Sequence, residues 1–424
     1  MNIRSKKIKS IINISGDKSI SHRALMVSAI SNGISTIHNF LFSQDSLATM
    51  ECLRNLGIRI EVEDYKVRVF GNGLYSLRKY EGILDAKNSG TTIRIMSGIL
   101  SGSNFDSIID GDKSLRLRPM DRIIKPLSLM GGKIYALNSD NYAPLSVCGK
   151  ELNSISYKME IDSAQVKSCI LFAGLYCDGI TKVSENIKTR DHTERMIGYF
   201  GGNIKINGNT ILIQKGEMEG REISIPGDIS SASFFMVLAS CIDGSELLIK
   251  NVGINETRIG IINVLRSMGA NIELVNVHCD YFEEVCDIKV YGTKFLVGTL
   301  IEGGIIPTLI DEIPIICVLA VFSKGETIIR DIEELKYKES NRIKSIVEGF
   351  SKLGIEIYEL ENGIRIVGGG SIKGCEVDSY NDHRIAMSFM ILSVISGEDI
   401  RILNKYCVDV SFPNFYDILN YVLR

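Results

Sequence analysis

One pattern recurs six times along the chain and limits the folds that it can adopt. In each copy an apolar segment, as in HRALMVSAISNG and SFFMVLASCIDG, runs into a glycine, and a short strand-like segment follows. The marker glycines lie roughly 65 to 80 residues apart, and self-similarity of this kind indicates a chain built from copies of one unit. They are Gly33, Gly102, Gly179, Gly244, Gly325 and Gly397.

The apolar segments predict buried helices. They are apolar on nearly all sides, and a glycine after the last turn is typical of a helix C-cap. A second helix follows the strand in five copies, ending in segments such as LRNLGIRIE, and the sixth copy ends early at YDILNYVLR. Each copy therefore predicts alternating strands and helices with further strands, which is an α/β fold.

The copies form two sets of three. SGDKSISHRALMVSAISNG opens the first copy, and the similar PGDISSASFFMVLASCIDG opens the fourth. A chain of 424 residues exceeds one compact core, so two domains are expected. We predict one domain at 14–226 and a second built from 1–13 plus 227–424, in which the strand-like piece before Ser15 pairs with the second half.

Composition and charge exclude several classes of protein. A net charge of -3 argues against general nucleic-acid binding, which needs a basic excess. The ten cysteines form no C-x-x-C pair and the five histidines no HExxH motif, so no metal site is expected. No apolar run reaches the roughly 18 residues of a membrane span. These features predict a soluble cytoplasmic protein.

The first turns of the apolar helices combine capping residues with cations. Ordinary capping accounts for Asp17, Asn88, Ser163, Asp228 and Asp382. It leaves five cations unexplained, because positive charge is disfavoured at the positive end of a helix dipole: Lys18, Arg23, Arg94, Lys167 and Arg384. Helix N-termini also bind anions, so the repeated cations indicate an anionic ligand.

Three residues are candidates for proton transfer. Asp311 opens an apolar helix and serves equally well as its cap, and Glu339 lies between Lys338 and Arg342. His383, in NDHR, is equally explained as a packed, hydrogen-bonded histidine.

Eight motifs carry a resemblance to a known family across the chain: GDKSISHRAL, NSGTTIR, RLRPMDR, DSAQVKS, TRDHTERM, LIDEIP, YKESNR and NDHRIAMSF. In this order and spacing they resemble 5-enolpyruvylshikimate-3-phosphate (EPSP) synthases. The resemblance implies a two-domain inverse α/β barrel, each domain made of three βαβαββ units, with the active site in the interdomain cleft.

The resemblance also implies the reaction. It is a 3-phosphoshikimate 1-carboxyvinyltransferase activity (EC 2.5.1.19), which transfers the enolpyruvyl group of phosphoenolpyruvate to the 5-hydroxyl of shikimate 3-phosphate. This is the sixth step towards chorismate and the aromatic amino acids. No metal or other cofactor, nucleic acid or membrane is implied, and a monomer is expected. Gly90 is the residue type of glyphosate-sensitive members, so inhibition is expected.

Site residues follow by matching each motif to this sequence. Shikimate 3-phosphate would contact Lys18, Ser19, Arg23, Ser163, Ala164, Gln165, Arg190, Asp311 and Lys338. Phosphoenolpyruvate would contact Lys18, Gly90, Arg118, Gln165, Arg342 and Arg384, with Arg94 in support. The resemblance implies Asp311, Glu339 and Lys18 as catalytic residues. We assign Asp311 to the hydroxyl proton and Glu339 to carbon C3, and we expect the two halves to close on the ligands.

Two alternatives stay open at this point. UDP-N-acetylglucosamine enolpyruvyl transferases share the fold and the phosphoenolpyruvate donor. They carry Lys-Asn where this chain has Lys18-Ser19, and a reactive cysteine where this chain has Lys113. A repeat scaffold without chemistry would show no stabilisation by ligands.

Overall fold

The computed structural model describes residues 7–64, 66–138 and 141–424, and these form two compact units. The N-terminal unit contains Gly16–Ile225 and Asp280–Phe282. The C-terminal unit contains the described residues up to Ser15, together with Pro226–Cys279 and Glu283–Arg424. Of the predicted segment 1–13, residues 1–6 lie outside the described residues.

Helices and strands alternate along both units, which confirms the predicted α/β class. The helices of the N-terminal unit are α1 (Lys18–Ala29), α2 (Gln44–Asn55), α3 (Gly90–Ser101), α4 (Asp121–Leu129), α5 (Ala164–Gly174) and α6 (His192–Tyr199). Those of the C-terminal unit are α7 (Ile229–Ser240), α8 (Gly260–Ser267), α9 (Ile313–Val321), α10 (Arg342–Lys352), α11 (His383–Ser396) and α12 (Phe415–Val422).

The strands are short, and most hold five residues or fewer. The first thirteen are β1 (Lys9–Asn13), β2 (Asn32–His38), β3 (Arg59–Glu63), β4 (Lys66–Asn72), β5 (Ile83–Asp85), β6 (Asp106–Asp110), β7 (Lys133–Ala136), β8 (Leu145–Cys148), β9 (Ser156–Lys158), β10 (Ile180–Ser184), β11 (Asn203–Asn207), β12 (Thr210–Gln214) and β13 (Glu222–Ser224). The rest are β14 (Glu246–Gly253), β15 (Asn271–Asp280), β16 (Glu283–Tyr291), β17 (Leu300–Ile301), β18 (Gly325–Arg330), β19 (Glu356–Leu360), β20 (Gly363–Gly368), β21 (Glu376–Asp378) and β22 (Arg401–Leu403).

The sheets of the N-terminal unit share one strand order, in which an outer strand runs parallel to its neighbour and two antiparallel strands follow. The orders are β13-β2-β4-β3, β5-β6-β8-β7 and β9-β10-β12-β11. The second and third copies supply their own outer strand, followed by a helix. The first copy starts at α1 and takes its outer strand, β13, from the end of the unit, with Glu222 opposite Thr36.

The C-terminal unit repeats this arrangement. Its sheets have the orders β1-β14-β16-β15 and β17-β18-β20-β19, and a two-stranded sheet β21-β22 completes the series. Strand β1 runs parallel to β14, with Lys9 opposite Glu246, so the segment before Ser15 supplies the outer strand that the fourth copy lacks. The last copy contains β21, α11, β22, a 3₁₀ helix (Lys405–Val410) and α12, in agreement with the early end of the sixth repeat.

The predicted buried helices are confirmed. Every residue of α7 and of α9 is buried, and α7, α9 and α11 pack against one another within their unit. In the N-terminal unit α3 packs against α5 and α1. The intervening helices bury one face only, as their mixed sequences require.

The predicted glycine C-caps are wrong for most of these helices. Of the six apolar helices, only α3 and α11 have a glycine C-cap: Gly102 is right-handed, with φ of -91°, and Gly397 is left-handed, with φ of 70°. Helix α1 is capped by Ile30 and α9 by Phe322, and the marker glycines Gly33 and Gly325 follow with φ near 90°. In these copies the glycine lies at the start of the following strand, β2 or β18, where the backbone takes a positive φ that glycine tolerates.

None of the helices formed by residues 7–64, 66–138 and 141–424 is long and apolar enough to cross a membrane.

Candidate active site

The two units carry separate groups of the predicted site residues. The N-terminal unit contains Lys18, Ser19, Arg23, Gly90, Arg118, Ser163, Ala164, Gln165 and Arg190. The C-terminal unit contains Asp311, Lys338, Glu339, Arg342 and Arg384. Most of these residues lie in the first turn of a helix or in the loop before it.

The start of α1 places Lys18 beside a carboxylate. Asp17 caps the helix by accepting a hydrogen bond of 2.9 Å from the N–H of Ile20. Lys18 Nζ donates to Oδ2 of Asp45 at 2.9 Å, and the two side chains are only 16% and 9% exposed. Asp45 thereby offsets the cost of a cation at the positive end of α1, and it holds the ammonium at the helix start.

Arg23, one turn further along α1, is buried and held by oxygen atoms. Its Nε donates to Oγ1 of Thr193 at 2.7 Å, and NH2 donates to Oγ of Ser168 at 2.9 Å. Its NH1 donates to the backbone carbonyl of Ser19 at 2.9 Å. Two predicted ligands, Arg23 and Ser19, are therefore joined directly.

The start of α3 brings two guanidinium groups to Gly90. A Cβ atom built on this glycine would lie 3.2 Å from NH1 of Arg94 and 3.3 Å from NH1 of Arg118. Arg118 donates to Oδ1 of Asn88 at 2.7 Å, and Arg94 donates to Oε1 of Gln165 at 2.7 Å. The helix start, the two arginines and the glutamine thus form one polar cluster, in which Arg94 lies as near Gly90 as Arg118 does.

The start of α5 supplies Ser163, Ala164 and Gln165, all half-buried. Gln165 spans from α5 to α3, because its Nε2 also donates to Oγ1 of Thr91 at 3.0 Å. Ser168 connects this helix start to Arg23 and donates to the carbonyl of Ala164 at 2.6 Å.

Two of the predicted caps are wrong. The N-cap of α3 is Ser89, whose Oγ accepts from the N–H of Thr92 at 3.1 Å, whereas Asn88 binds Arg118 instead. Ser163 occupies the N-cap position of α5, but its hydroxyl makes no capping hydrogen bond. The α3 cap therefore lies one residue later than predicted, whereas the α5 cap position is as predicted but lacks the side-chain hydrogen bond.

Lys167 does not require an external anion. Its ammonium is fully buried and binds Oε1 of Glu185 at 3.0 Å and Oε1 of Glu194 at 2.7 Å. Burial raises the pKa of Glu194, and the attraction of Lys167 only partly opposes that shift. The interpretation of Lys167 as a sign of an anionic ligand is therefore wrong, because its ammonium is fully buried against two carboxylates of the chain itself.

Arg190 lies half-buried in the loop that leads into α6. Asp191, the next residue, is the N-cap position of that helix, and Lys188 lies 3.6 Å from it. Because α6 also supplies Thr193 to Arg23, the TRDHTE motif links both arginines to one helix start.

His22 begins a chain of hydrogen bonds that continues through hydroxyl groups to the start of α3. Its Nδ1 lies 2.7 Å from Oγ1 of Thr49, which lies 2.7 Å from Oγ1 of Thr92, and Thr92 donates to Ser89. Each hydroxyl has one proton, so Thr49 donates to Thr92 and the imidazole must donate from Nδ1. Burial, reinforced by Lys18 and Arg23, holds the pKa of His22 well below its usual value, so the ring is neutral.

The C-terminal unit centres its group on Arg342. This guanidinium is 1% exposed and contacts three carboxylates: Asp382 at 2.8 Å, Glu339 at 2.5 Å and Asp311 at 3.3 Å. Burial by itself would lower the pKa of Arg342, but Asp382, Glu339 and Asp311 together raise it, so Arg342 stays charged. The two predicted proton-transfer residues, Asp311 and Glu339, are thus held by one cation.

Asp311 also contacts the other two cations of this group, Lys338 and Arg384. Its Oδ1 lies 3.4 Å from Nζ of Lys338, and its Oδ2 lies 4.0 Å from NH2 of Arg384. Arg384 also donates from NH1 to the backbone carbonyl of Asp311 at 2.9 Å. The Asp311 side chain is 13% exposed, so its charge interacts strongly with these neighbours.

Sequence reasoning missed three acidic partners. Asp45 holds Lys18. Asp382 caps α11 at the N–H of Arg384, as predicted, but its contact with the Arg342 side chain was not foreseen. Glu312, which is fully buried, lies 3.6 Å from NH1 of Arg384 and accepts a hydrogen bond from Ser230. The motifs LIDEIP and NDHR contain two of these acids, but a sequence does not show which cation an acid faces.

His383 begins α11 and is 3% exposed, so it is a buried residue at the helix start. Among the residues described, no three His, Cys, Asp or Glu side chains are grouped as metal ligands would be.

Comparison with known sequences gives one family. The family model described as EPSP synthase (3-phosphoshikimate 1-carboxyvinyltransferase) matches residues 3–419. A 3-phosphoshikimate 1-carboxyvinyltransferase of Thermoanaerobacter sp. (strain X514) is 49% identical over 420 residues, which are 98% of this chain and 99% of the relative. The enzyme of that name from Alkaliphilus metalliredigens is 48% identical over 419 residues, which are 99% of this chain and 98% of the relative.

Solved structures of the same family are also similar to this chain. A structure of EPSP synthase from Acinetobacter baumannii superposes with a TM-score of 0.88 at 39% identity, and the match covers 99% of this chain and 96% of that one. A second structure of the enzyme from the same organism gives a TM-score of 0.87 at 38% identity, with the same coverage.

Proposed function

The chain belongs to the EPSP synthase family, and on that premise we propose that it transfers the enolpyruvyl group of phosphoenolpyruvate to the 5-hydroxyl of shikimate 3-phosphate, releasing phosphate. The family match over residues 3–419 and the high coverage of its relatives support this activity. The geometric observation that carries it is the contact of Asp311 and Glu339 with one buried arginine, Arg342.

Two carboxylates suit this reaction because it moves two protons. The 5-hydroxyl attacks C2 of phosphoenolpyruvate and loses its proton, while C3 gains one, which gives a tetrahedral intermediate. C3 then loses a proton as the bond from C2 to the phosphate oxygen breaks. We assign the hydroxyl proton to Asp311 and the C3 proton to Glu339, and Arg342 keeps both groups in place. Lys18 assists as a cation near the developing charge.

For phosphoenolpyruvate, the proposed contacts combine guanidinium groups with the start of helix α3. Planar guanidinium groups bind carboxylate and phosphate with two parallel hydrogen bonds, which a lysine does not provide. Gly90 leaves room beside Arg94 and Arg118, since a side chain there would meet both. The proposed set is Lys18, Gly90, Arg118, Gln165, Arg342 and Arg384.

For shikimate 3-phosphate, the proposed contacts are polar groups that suit a phosphate and a hydroxylated ring. Arg23 and Arg190 would bind the phosphate, and Lys338 and Asp311 would bind ring hydroxyls. The proposed set is Lys18, Ser19, Arg23, Ser163, Ala164, Gln165, Arg190, Asp311 and Lys338.

The two compact units would be the two enolpyruvyl transferase domains, each built from three βαβαββ units in an inverse α/β barrel. The shared strand order of the sheets supports this reading of the repeats. A monomeric state, a cytoplasmic location and independence from cofactors stay predictions from the sequence.

Phosphate release with purified protein tests the proposal. With phosphoenolpyruvate and shikimate 3-phosphate, phosphate should appear together with a product heavier than shikimate 3-phosphate by the enolpyruvyl group. UDP-N-acetylglucosamine in place of shikimate 3-phosphate is the control acceptor and should release none. Turnover with the control acceptor, or none with shikimate 3-phosphate, would contradict the proposal.

A further inference from the structure

Two neutral hydroxyl groups form a clamp on Arg23. Thr193 Oγ1 accepts from Nε at 2.7 Å, Ser168 Oγ accepts from NH2 at 2.9 Å, and the two oxygens lie 2.7 Å apart. The clamp, defined as Ser168 together with Thr193, therefore accepts hydrogen bonds from the Nε/NH2 edge of the Arg23 guanidinium. Arg23, Ser168 and Thr193 are all buried, so the geometry depends on these contacts rather than on water.

The hydrogen atoms of the clamp are fully assigned. Ser168 uses its one hydroxyl proton on the carbonyl of Ala164, at 2.6 Å. The proton between Ser168 and Thr193 therefore comes from Thr193, and both oxygens keep lone pairs for Arg23. Removal of either hydroxyl would leave a buried N–H of a charged group without its acceptor, which is costly.

An ion pair one residue away fixes the clamp. Lys167 precedes Ser168 on α5, Glu194 follows Thr193 on α6, and these two charged groups lie 2.7 Å apart. Two adjacent residue pairs thus connect α5 to α6, one ionic and one through hydroxyls. Because all four side chains are buried, the two helices hold the hydroxyls in register for Arg23.

The clamp fixes the orientation of Arg23 without neutralising its positive charge, because both hydroxyl groups are uncharged. A carboxylate at the same edge would also accept two hydrogen bonds, but its negative charge would weaken the attraction of Arg23 for an anion. We infer that Thr193 and Ser168 are positioning residues that hold Arg23, still charged, for the phosphate of shikimate 3-phosphate. This inference rests on the proposed function, since it assigns a task to the same site.

The test compares Thr193→Val, which keeps the shape and removes the hydroxyl, with Thr193→Ser, which keeps the hydroxyl. Loss of a hydrogen bond to a charged group should raise KM for shikimate 3-phosphate about ten-fold or more. KM for phosphoenolpyruvate should stay within about two-fold, since Arg23 is not among the residues proposed to bind phosphoenolpyruvate. Thr193→Ser should restore most of the affinity. Thr181→Val is the matched control, because Thr181 is equally buried but lies on β10, outside the clamp.

Ser168→Ala is the second variant. It replaces Thr193→Val in the KM measurement if circular dichroism shows that Thr193→Val is unfolded. A folded variant of either kind with an unchanged KM for shikimate 3-phosphate would overturn the inference. So would an equal rise in both KM values, or failure of Thr193→Ser to recover, since either result indicates general damage to the unit. A wild-type protein without turnover would instead overturn the proposed function, and the inference with it.

Discussion

Arg342 and Asp382 form a buried, two-point ion pair at the start of α11. Arg342 Nε donates to Oδ2 of Asp382 at 2.8 Å, NH2 lies 3.3 Å from Oδ1, and the two side chains are 1% and 0% exposed. The same carboxylate also caps α11 at the N–H of Arg384. One acid therefore fixes the positions of two arginines proposed to bind phosphoenolpyruvate.

Asp382→Asn should lower the free energy of unfolding by about 3–5 kcal/mol, because it leaves Arg342 buried with part of its counter-charge removed. Urea denaturation measures the change. Asp378→Asn is the control, since Asp378 accepts from the N–H of Tyr380 and from Asn404 rather than from an arginine. Equal stability losses in the two variants would contradict a special role for the Arg342 pair.

Asp311→Asn and Glu339→Gln should each lower kcat by about 10²–10⁴-fold, the usual effect of losing a positioned proton-transfer group. Both substitutions keep the size of the side chain, and circular dichroism should show an unchanged fold. Glu333→Gln is the matched control, because Glu333 is exposed on the 3₁₀ helix Glu333–Tyr337. A kcat near the wild-type value in Asp311→Asn would exclude Asp311 as the group that takes the hydroxyl proton.

Gly90→Ala should raise KM for phosphoenolpyruvate about ten-fold and weaken inhibition by glyphosate, with little change in melting temperature. The new methyl group would lie 3.2–3.3 Å from two guanidinium ends, which are flexible enough to yield but which then move from their positions.

Gly198→Ala is the control for the glycine substitution. Gly198 lies in α6, and a Cβ atom built on it would meet only Ile204, at an ordinary contact distance of 3.6 Å. An unchanged KM for phosphoenolpyruvate in Gly90→Ala would show that this glycine does not border the donor.

His22 should make the protein less stable as the pH falls below about 6.5, the ordinary pKa of histidine. Its pKa is depressed in the folded state, so below that pH the unfolded chain binds the proton more readily and unfolding becomes easier. Above it both states are neutral and the group contributes no pH dependence.

His22→Asn keeps a donor for Thr49 and removes the titrating ring. From pH 7 to pH 5.5, the wild-type protein should lose about 1 kcal/mol more of its unfolding free energy than this variant does. Denaturant unfolding at both pH values gives the comparison. His278→Asn, at an exposed position, should follow the wild type, and identical slopes in wild type and His22→Asn would refute the prediction.

The sequence determined the repeated elements of the fold. Buried helices such as α7 and α9 are apolar at nearly every position, and this composition is a local property that appears directly in the sequence. The short N-terminal strand was predicted to pair with the second half, and β1 lies parallel to β14. The glycine caps were predicted less well, because a helix end depends on the backbone angles of one or two residues.

The sequence also identified the cations of the site but not their partners. Lys18 and Lys167 have the same appearance at the starts of their helices, yet Lys167 is fully buried against Glu185 and Glu194, whereas Lys18 is 16% exposed and pairs with Asp45. The clamp on Arg23 joins residues 145 and 170 positions away along the chain. Local patterns fix which residues are helical and apolar, whereas the pairing of charges and hydroxyls depends on distances that only the packed tertiary structure sets.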